Sequence, residues 1–154
     1  MLAALGSVSP AAAREQRPLP AFSVTAADGT SRASAALSAE PRWILVYVAP
    51  GSRSCARLLQ SLKDWQSPQL TARTIVVVRA AQAAAAGYIA ERLPAEVAGV
   101  AWYADQAGAA AQALELTGAP VIVGVERGEI KWSISGVLND PTSLESVVRS
   151  WVEY

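Results

Sequence analysis

The chain is 154 residues long, its thirteen Lys and Arg are balanced by thirteen Asp and Glu, and 52% of its residues are hydrophobic. That length suits one domain with a real core, and a formal net charge of zero supplies no field to gather nucleic acid or an anionic membrane surface. One cysteine and no histidine exclude an intrachain disulfide, the usual zinc ligands, and Ser-His-Asp or Cys-His catalysis.

The N-terminal segment MLAALGSVSPAAA is small, apolar and uncharged, and it ends in Ala11-Ala12-Ala13 before Arg14. A secretory signal ends in this way, although the basic residues that open such a signal are missing. The expectation is an exported, periplasmic protein, with cytoplasmic residence as the alternative. Residues 14–20 are polar and carry Pro18 and Pro20, which favours extended backbone and supplies no core. Residues 1–18 are therefore expected to be a signal-peptide remnant or disordered segment, and 19–154 the folded domain. Past the N-terminus no run approaches the roughly 20 apolar residues of a membrane-spanning helix.

Along the domain, Phe22-Ser23-Val24 alternates and leads into Asp28-Gly29, a strand and a turn, and the Ala-rich 33–39 suggests a short helix. Trp43 to Val48 is a continuous apolar run bounded by Pro41 and Pro50, the pattern of a strand covered on both faces. Cys55, Leu58, Leu59, Leu62 and Trp65 recur at helical spacing, which predicts a helix over 53–66 with Arg57, Lys63 and Asp64 off the apolar stripe. A strand over 74–78, a helix over 80–93 stopped by Pro94, and a strand over 100–103 complete an alternation that implies a parallel sheet. A helix over 109–116 precedes two strands, 121–125 and 130–135, flanking Glu126-Arg127-Gly128-Glu129 as a hairpin. The final stripe of Leu144, Val147, Val148, Trp151 and Val152 predicts a helix over 141–154, with Asp140 as N-cap and Pro141 at the first position. The five tryptophans all fall inside predicted elements and are expected to pack in or near the core.

This order of elements, with Ser52-Arg53-Ser54-Cys55 after the central strand and Thr117-Gly118-Ala119-Pro120-Val121 before the hairpin, resembles the thioredoxin-like superfamily, its TlpA-like or redoxin branch especially. The resemblance implies an α/β thioredoxin-like fold with a central mixed sheet flanked by helices. It also implies a cis-proline at Pro120 opposite the Cys-x-x-Cys position, where this chain keeps only Cys55 and has Ser52 in place of the attacking cysteine. Gly51 stands where an aromatic often precedes that cysteine, and Val46 where thioredoxins keep a buried carboxylate. The partners implied are protein thiols or extended peptide segments, and no cofactor or metal is implied.

A chain with one thiol cannot complete an intramolecular disulfide cycle, and without a histidine Ser52 has no base to activate it, so Ser52 reads as an N-cap of the helix. Cys55 then lies in the first turn, where free amides favour a thiolate, yet it also begins an apolar stripe, where cysteine is usually an inert small hydrophobe. An exposed Cys55 would make the chain a single-thiol oxidoreductase with Cys55 and Ser52 at the reacting centre and Arg53, Ala119 and Pro120 against the substrate. A buried Cys55 would leave a non-catalytic peptide-binding or chaperone-like module. Ser52-x-x-Cys55 also resembles the Thr/Ser-x-x-Cys of peroxiredoxins, which would require a thiolate-stabilising arginine, with Arg53 close by and Arg127 the other candidate.

Overall fold

The computed structural model describes residues 12–135 and 141–153, with side-chain surroundings from residue 16 onward and, in the last segment, from residue 144. In chain order the elements are β1 (Ala12–Pro18), β2 (Ser23–Ala26), β3 (Ser31–Ala33), β4 (Arg42–Val48), α1 (Arg53–Ser61), α2 (Pro68–Arg73), β5 (Thr74–Val78), α3 (Gln82–Arg92), β6 (Ala101–Ala104), α4 (Ala109–Ala113), β7 (Val121–Glu126), β8 (Glu129–Ser135) and α5 (Pro141–Glu153). The strands form one sheet in the order β1-β8-β7-β4-β5-β6-β2-β3. β4, β5 and β6 are parallel, while β7, β8 and β1 on one side and β2 and β3 on the other run antiparallel to their neighbours. This is the mixed, helix-flanked sheet that the sequence predicts.

Alternation along the central strands divides the core in two. Ile44, Val46 and Val48 of β4 and Val76 and Val78 of β5 face a layer built from Leu58, Leu59, Leu62, Leu70, Ile89, Val148 and Val152, contributed by α1, α2, α3 and α5 and the turn after α1. Trp43, Leu45, Tyr47, Ile75 and Val77 face the other way, against Phe22, Leu37 and the Ala110, Ala111 and Leu114 that follow Gly108. A strand covered on both faces has no polar side to spare, and β4 from Trp43 to Val48 is buried at every position. Burial of each such Val, Leu or Ile contributes about 1.5–3 kcal/mol.

Several elements depart from expectation. Residues 12–18, expected to belong to a signal-peptide remnant or disordered segment, form β1, an edge strand paired with β8 from Ala12↔Ile134 to Pro18↔Glu129. Pairing of this kind draws on backbone groups rather than on apolar side chains, and Pro18 closes the strand because it has no N–H to donate. The expected helix over 33–39 is only a 3₁₀ turn, Ser34–Ala36. The Ser34 hydroxyl donates to Pro20 O at 2.8 Å and accepts from Phe22 N at 3.2 Å, a local tie that competes with helix formation. The helix expected over 53–66 ends at Ser61, and Leu62 to Trp65 continue in i→i+3 turns that keep Leu62 and Trp65 buried. α2 was not anticipated, being too short for periodicity to appear, although Ser67 caps Leu70 N at 3.0 Å with Pro68 in the first turn. Residues 1–11 of the signal-like stretch and the Asp140 cap lie outside the described residues.

Candidate functional site

β4 delivers the chain to a tight loop, Ala49 to Gly51, in which Gly51 adopts φ +90°, a conformation that side chains other than glycine enter only with strain. That requirement accounts for Gly51 at the position where an aromatic was expected. Ser52 is extended and caps α1, its Oγ accepting from Cys55 N at 3.2 Å, so the capping role read from the sequence is present. The cap satisfies one of the orphan amides that open every helix.

Cys55 is fully buried, with 0% relative exposure, among the apolar side chains of the α1 face. Its Sγ accepts from Ala49 N at 3.3 Å. The thiol is thus held from one side by the preceding loop and enclosed on the other sides by the core. Tyr88 of α3 is half-buried and packs against this cluster. Burial, and to a smaller degree the negative potential of Cys55, hold its phenol above the ordinary tyrosine range, with Arg92 opposing. Its hydroxyl is buried without a hydrogen-bond partner.

The peptide bond between Ala119 and Pro120 is cis. The β4–β7 register, which pairs Tyr47 with Val121, carries Ala119 and Pro120 to the end of the sheet from which α1 departs. Pro120 itself is buried and Ala119 half-buried. Ser52 and Arg53 line a groove of about 420 Å³ with Gly51, Ala56, Arg57, Tyr88 and Arg92. Ala119 instead lines a second groove, of about 540 Å³, with Arg17, Leu116, Gly118 and Ser135 among its walls. Ser52, Arg53, Cys55, Ala119 and Pro120 therefore share one end of the sheet, but Ser52 and Arg53 line one groove, Ala119 lines the other, and Cys55 and Pro120 line neither. Arg57, Tyr88 and Arg92 were not singled out. Their signal was present in the i,i+4 spacing of Arg53 with Arg57 and of Tyr88 with Arg92.

Arg127, the second arginine considered for a peroxide-reducing centre, does not approach Cys55. It sits in the β7–β8 turn, where its backbone N–H donates to Pro41 O at 2.7 Å and its guanidinium lies 3.7 Å from Glu126. Pro41 precedes β4 and Cys55 lies beyond its far end, a separation of about 20 Å along the strand.

On the opposite face of the sheet a second polar cluster is buried. Asp105 is 2% exposed. It accepts from Tyr47 Oη at 2.6 Å, Ala110 N at 3.0 Å and Ala111 N at 3.2 Å, which opens α4 and pins it to β4. Burial, followed by this hydrogen bond and the charge of Asp105, holds the Tyr47 hydroxyl far above the ordinary phenol range. With every donor aimed at a carboxylate oxygen, the cluster is a structural tie.

No family model matches this sequence, and a search of curated proteins found no match. Solved structures do resemble it. A Chlorobium tepidum protein provisionally named thiol:disulfide interchange protein DsbE superposes with a TM-score of 0.71 at 17% identity, over 89% of this chain and 96% of that one. Mycobacterium tuberculosis DsbF gives 0.67 at 17%, over 84% and 94%. A secreted M. tuberculosis disulfide oxidoreductase homologous to Escherichia coli DsbE gives 0.66 at 15%, over 84% and 95%. These likenesses agree with the sheet order, and with the Ser52-capped helix that leaves the central strand, in one conclusion: the chain carries the thioredoxin-like fold.

Proposed function

We propose that this protein is a thioredoxin-fold binding module that engages extended polypeptide and performs no dithiol turnover. The observation that carries the reading is the state of its one thiol: Cys55 is the only cysteine, it is fully buried, and its sulfur is tied to Ala49 N. Disulfide exchange needs a thiolate that can reach a substrate sulfur and a second thiol to release the product, and neither requirement is met. Ser52 acts as a helix cap, Arg53 and Ala119 each line an open groove, and Pro120 is buried behind the cis bond to Ala119. Partners are extended segments of other proteins. Export is part of the proposal, in keeping with the signal-like N-terminus and with the secreted M. tuberculosis neighbour.

A second reading keeps chemistry at Cys55. It is favoured by the Ala49 N–H donated to Sγ, a contact that also stabilises a thiolate. In that case local opening of the α1 start would let the Cys55 thiolate attack a substrate disulfide, forming a mixed disulfide and releasing one substrate thiolate. An external thiol would then attack the mixed disulfide, restoring Cys55 and leaving joined to the substrate sulfur.

The two readings separate in a reductase assay with a protein disulfide substrate and excess dithiol reductant. The binding-module reading predicts no catalysed reduction by the native chain, and measurable turnover once Ser52→Cys supplies the second thiol. Turnover by the native chain, abolished by Cys55→Ala, would overturn it in favour of single-thiol chemistry.

A further inference from the structure

The groove beside Ser52 is unusual in its charge. Arg53 and Arg57 stand one turn apart on α1, Tyr88 and Arg92 one turn apart on α3, and no lining residue is acidic. All three arginines are exposed, and among the described residues none has an ion-pair partner; Arg17, Arg42, Arg73, Arg127 and Arg149 each do, while Arg79 also lacks one and Arg32 turns instead to Ala36 O and the Tyr103 ring. The arrangement also runs against helix electrostatics. The positive end of a helix favours acidic side chains, yet the first turn of α1 has none and Arg53 occupies its first position. Like charges at i,i+4 repel as well. A local rule broken without a compensating partner marks a functional site more often than a structural one. The α3 wall, with Arg92, carries Tyr88, whose buried hydroxyl has no partner.

We propose that this groove selects acidic peptide segments, seating alternate Asp or Glu side chains of an extended chain on Arg53 and Arg57 with Arg92 closing the opposite wall. The proposal rests on the binding-module reading above and names its ligand class. Arg53 and Arg57 are separated by about 6 Å along the helix axis, and residues i and i+2 of an extended strand by about 6.6 Å, so successive same-face carboxylates meet successive guanidinium groups. Guanidinium is the side chain best shaped to hold carboxylate by paired N–H donors. The overall charge of zero confines the attraction to the groove, which suits a short acidic segment better than a long polyanion.

The test titrates the full chain with a fluorescently labelled, end-capped pentapeptide carrying Glu at its second and fourth positions and Ala elsewhere, against a matched peptide with Gln in place of Glu. The Glu peptide should bind at least about tenfold more tightly at low salt, and the preference should shrink sharply in 0.5 M salt. Arg53→Gln with Arg57→Gln should abolish the preference, and Arg92→Gln alone should weaken it several-fold, each variant keeping the native circular dichroism spectrum. If the double variant does not fold, Arg92→Gln and the salt dependence decide. Equal binding of both peptides by the native chain would overturn the acidic selectivity and leave peptide binding standing. Binding of neither would overturn both. Displacement of the Glu peptide by inorganic phosphate at concentrations matching the peptide would show a small-anion site and overturn the peptide assignment.

Discussion

Two helices begin against the central sheet, on opposite faces, and their beginnings differ in kind. At the start of α4 the buried Asp105 takes three hydrogen bonds, and a negative charge sits where the helix end is positive. At the start of α1 the cap is a neutral hydroxyl, the buried neighbour is a thiol with a single long contact from Ala49 N, and the charges in the groove beside it are all positive. A helix start whose polar groups are mutually satisfied holds the fold together. One whose charged groups are left without partners is arranged for something from outside. In this protein the thioredoxin-like fold keeps a capped helix start at α1, and the one thiol there is buried in the core.

The sharpest way to break this comparison is at α4. Asp105→Ala should cost about 3 kcal/mol of unfolding free energy, measured by urea denaturation, because it leaves the Tyr47 hydroxyl and two amides unpaired in the interior. The same tie predicts a pH dependence. The folded-state pKa of Tyr47 is raised by burial and by Asp105, so the stability it secures is fully present below the unfolded phenol value of about 10 and is lost as pH rises beyond it. Thermal melts between pH 9 and 11 should fall steeply for the native chain and less steeply for Tyr47→Phe, which should itself be less stable at pH 7. At α1 the effect should be smaller: Ser52→Ala removes one cap and should cost about 1 kcal/mol. The smallest effect should have the opposite sign. Arg53→Glu at the first position of α1 should raise unfolding free energy by about 0.3–1 kcal/mol while removing affinity for the acidic peptide, a gain that a purely structural Arg53 would not accompany with lost binding.

How much of this was legible in the sequence differs between the two helix starts. The central strand, the Cys55–Trp65 stripe and the Ser52 cap were readable because burial on both faces, helical spacing and capping chemistry each leave a local pattern. The burial of Cys55 was not, since a cysteine at a helix start is compatible with either a reactive or an inert thiol until the packing of Val48, Leu58 and Leu59 around it is known. The Asp105–Tyr47 tie joins residues 58 positions apart, and no spacing rule links them. The arginine groove was half visible, as two i,i+4 pairs. Their meeting depends on α3 lying beside α1, which is a property of the sheet order. Residues 12–18 show the opposite failure: an edge strand can pair through its backbone alone, so its sequence need not announce it. Gly124 on β7 is a related case, because a Cβ there would overlap the Trp132 indole across the hairpin, a contact that only the register reveals.

The most direct test of the central claim is alkylation of Cys55 in the native protein, with Cys55→Ala as blank and the urea-unfolded chain as the full-rate reference. A buried thiol reacts only when the structure opens, so native labelling should be slower than unfolded labelling by about a thousandfold or more and should accelerate in step with unfolding. Native labelling within about tenfold of the unfolded rate would mean that Cys55 is accessible in the folded state, and it would return the protein to single-thiol redox chemistry.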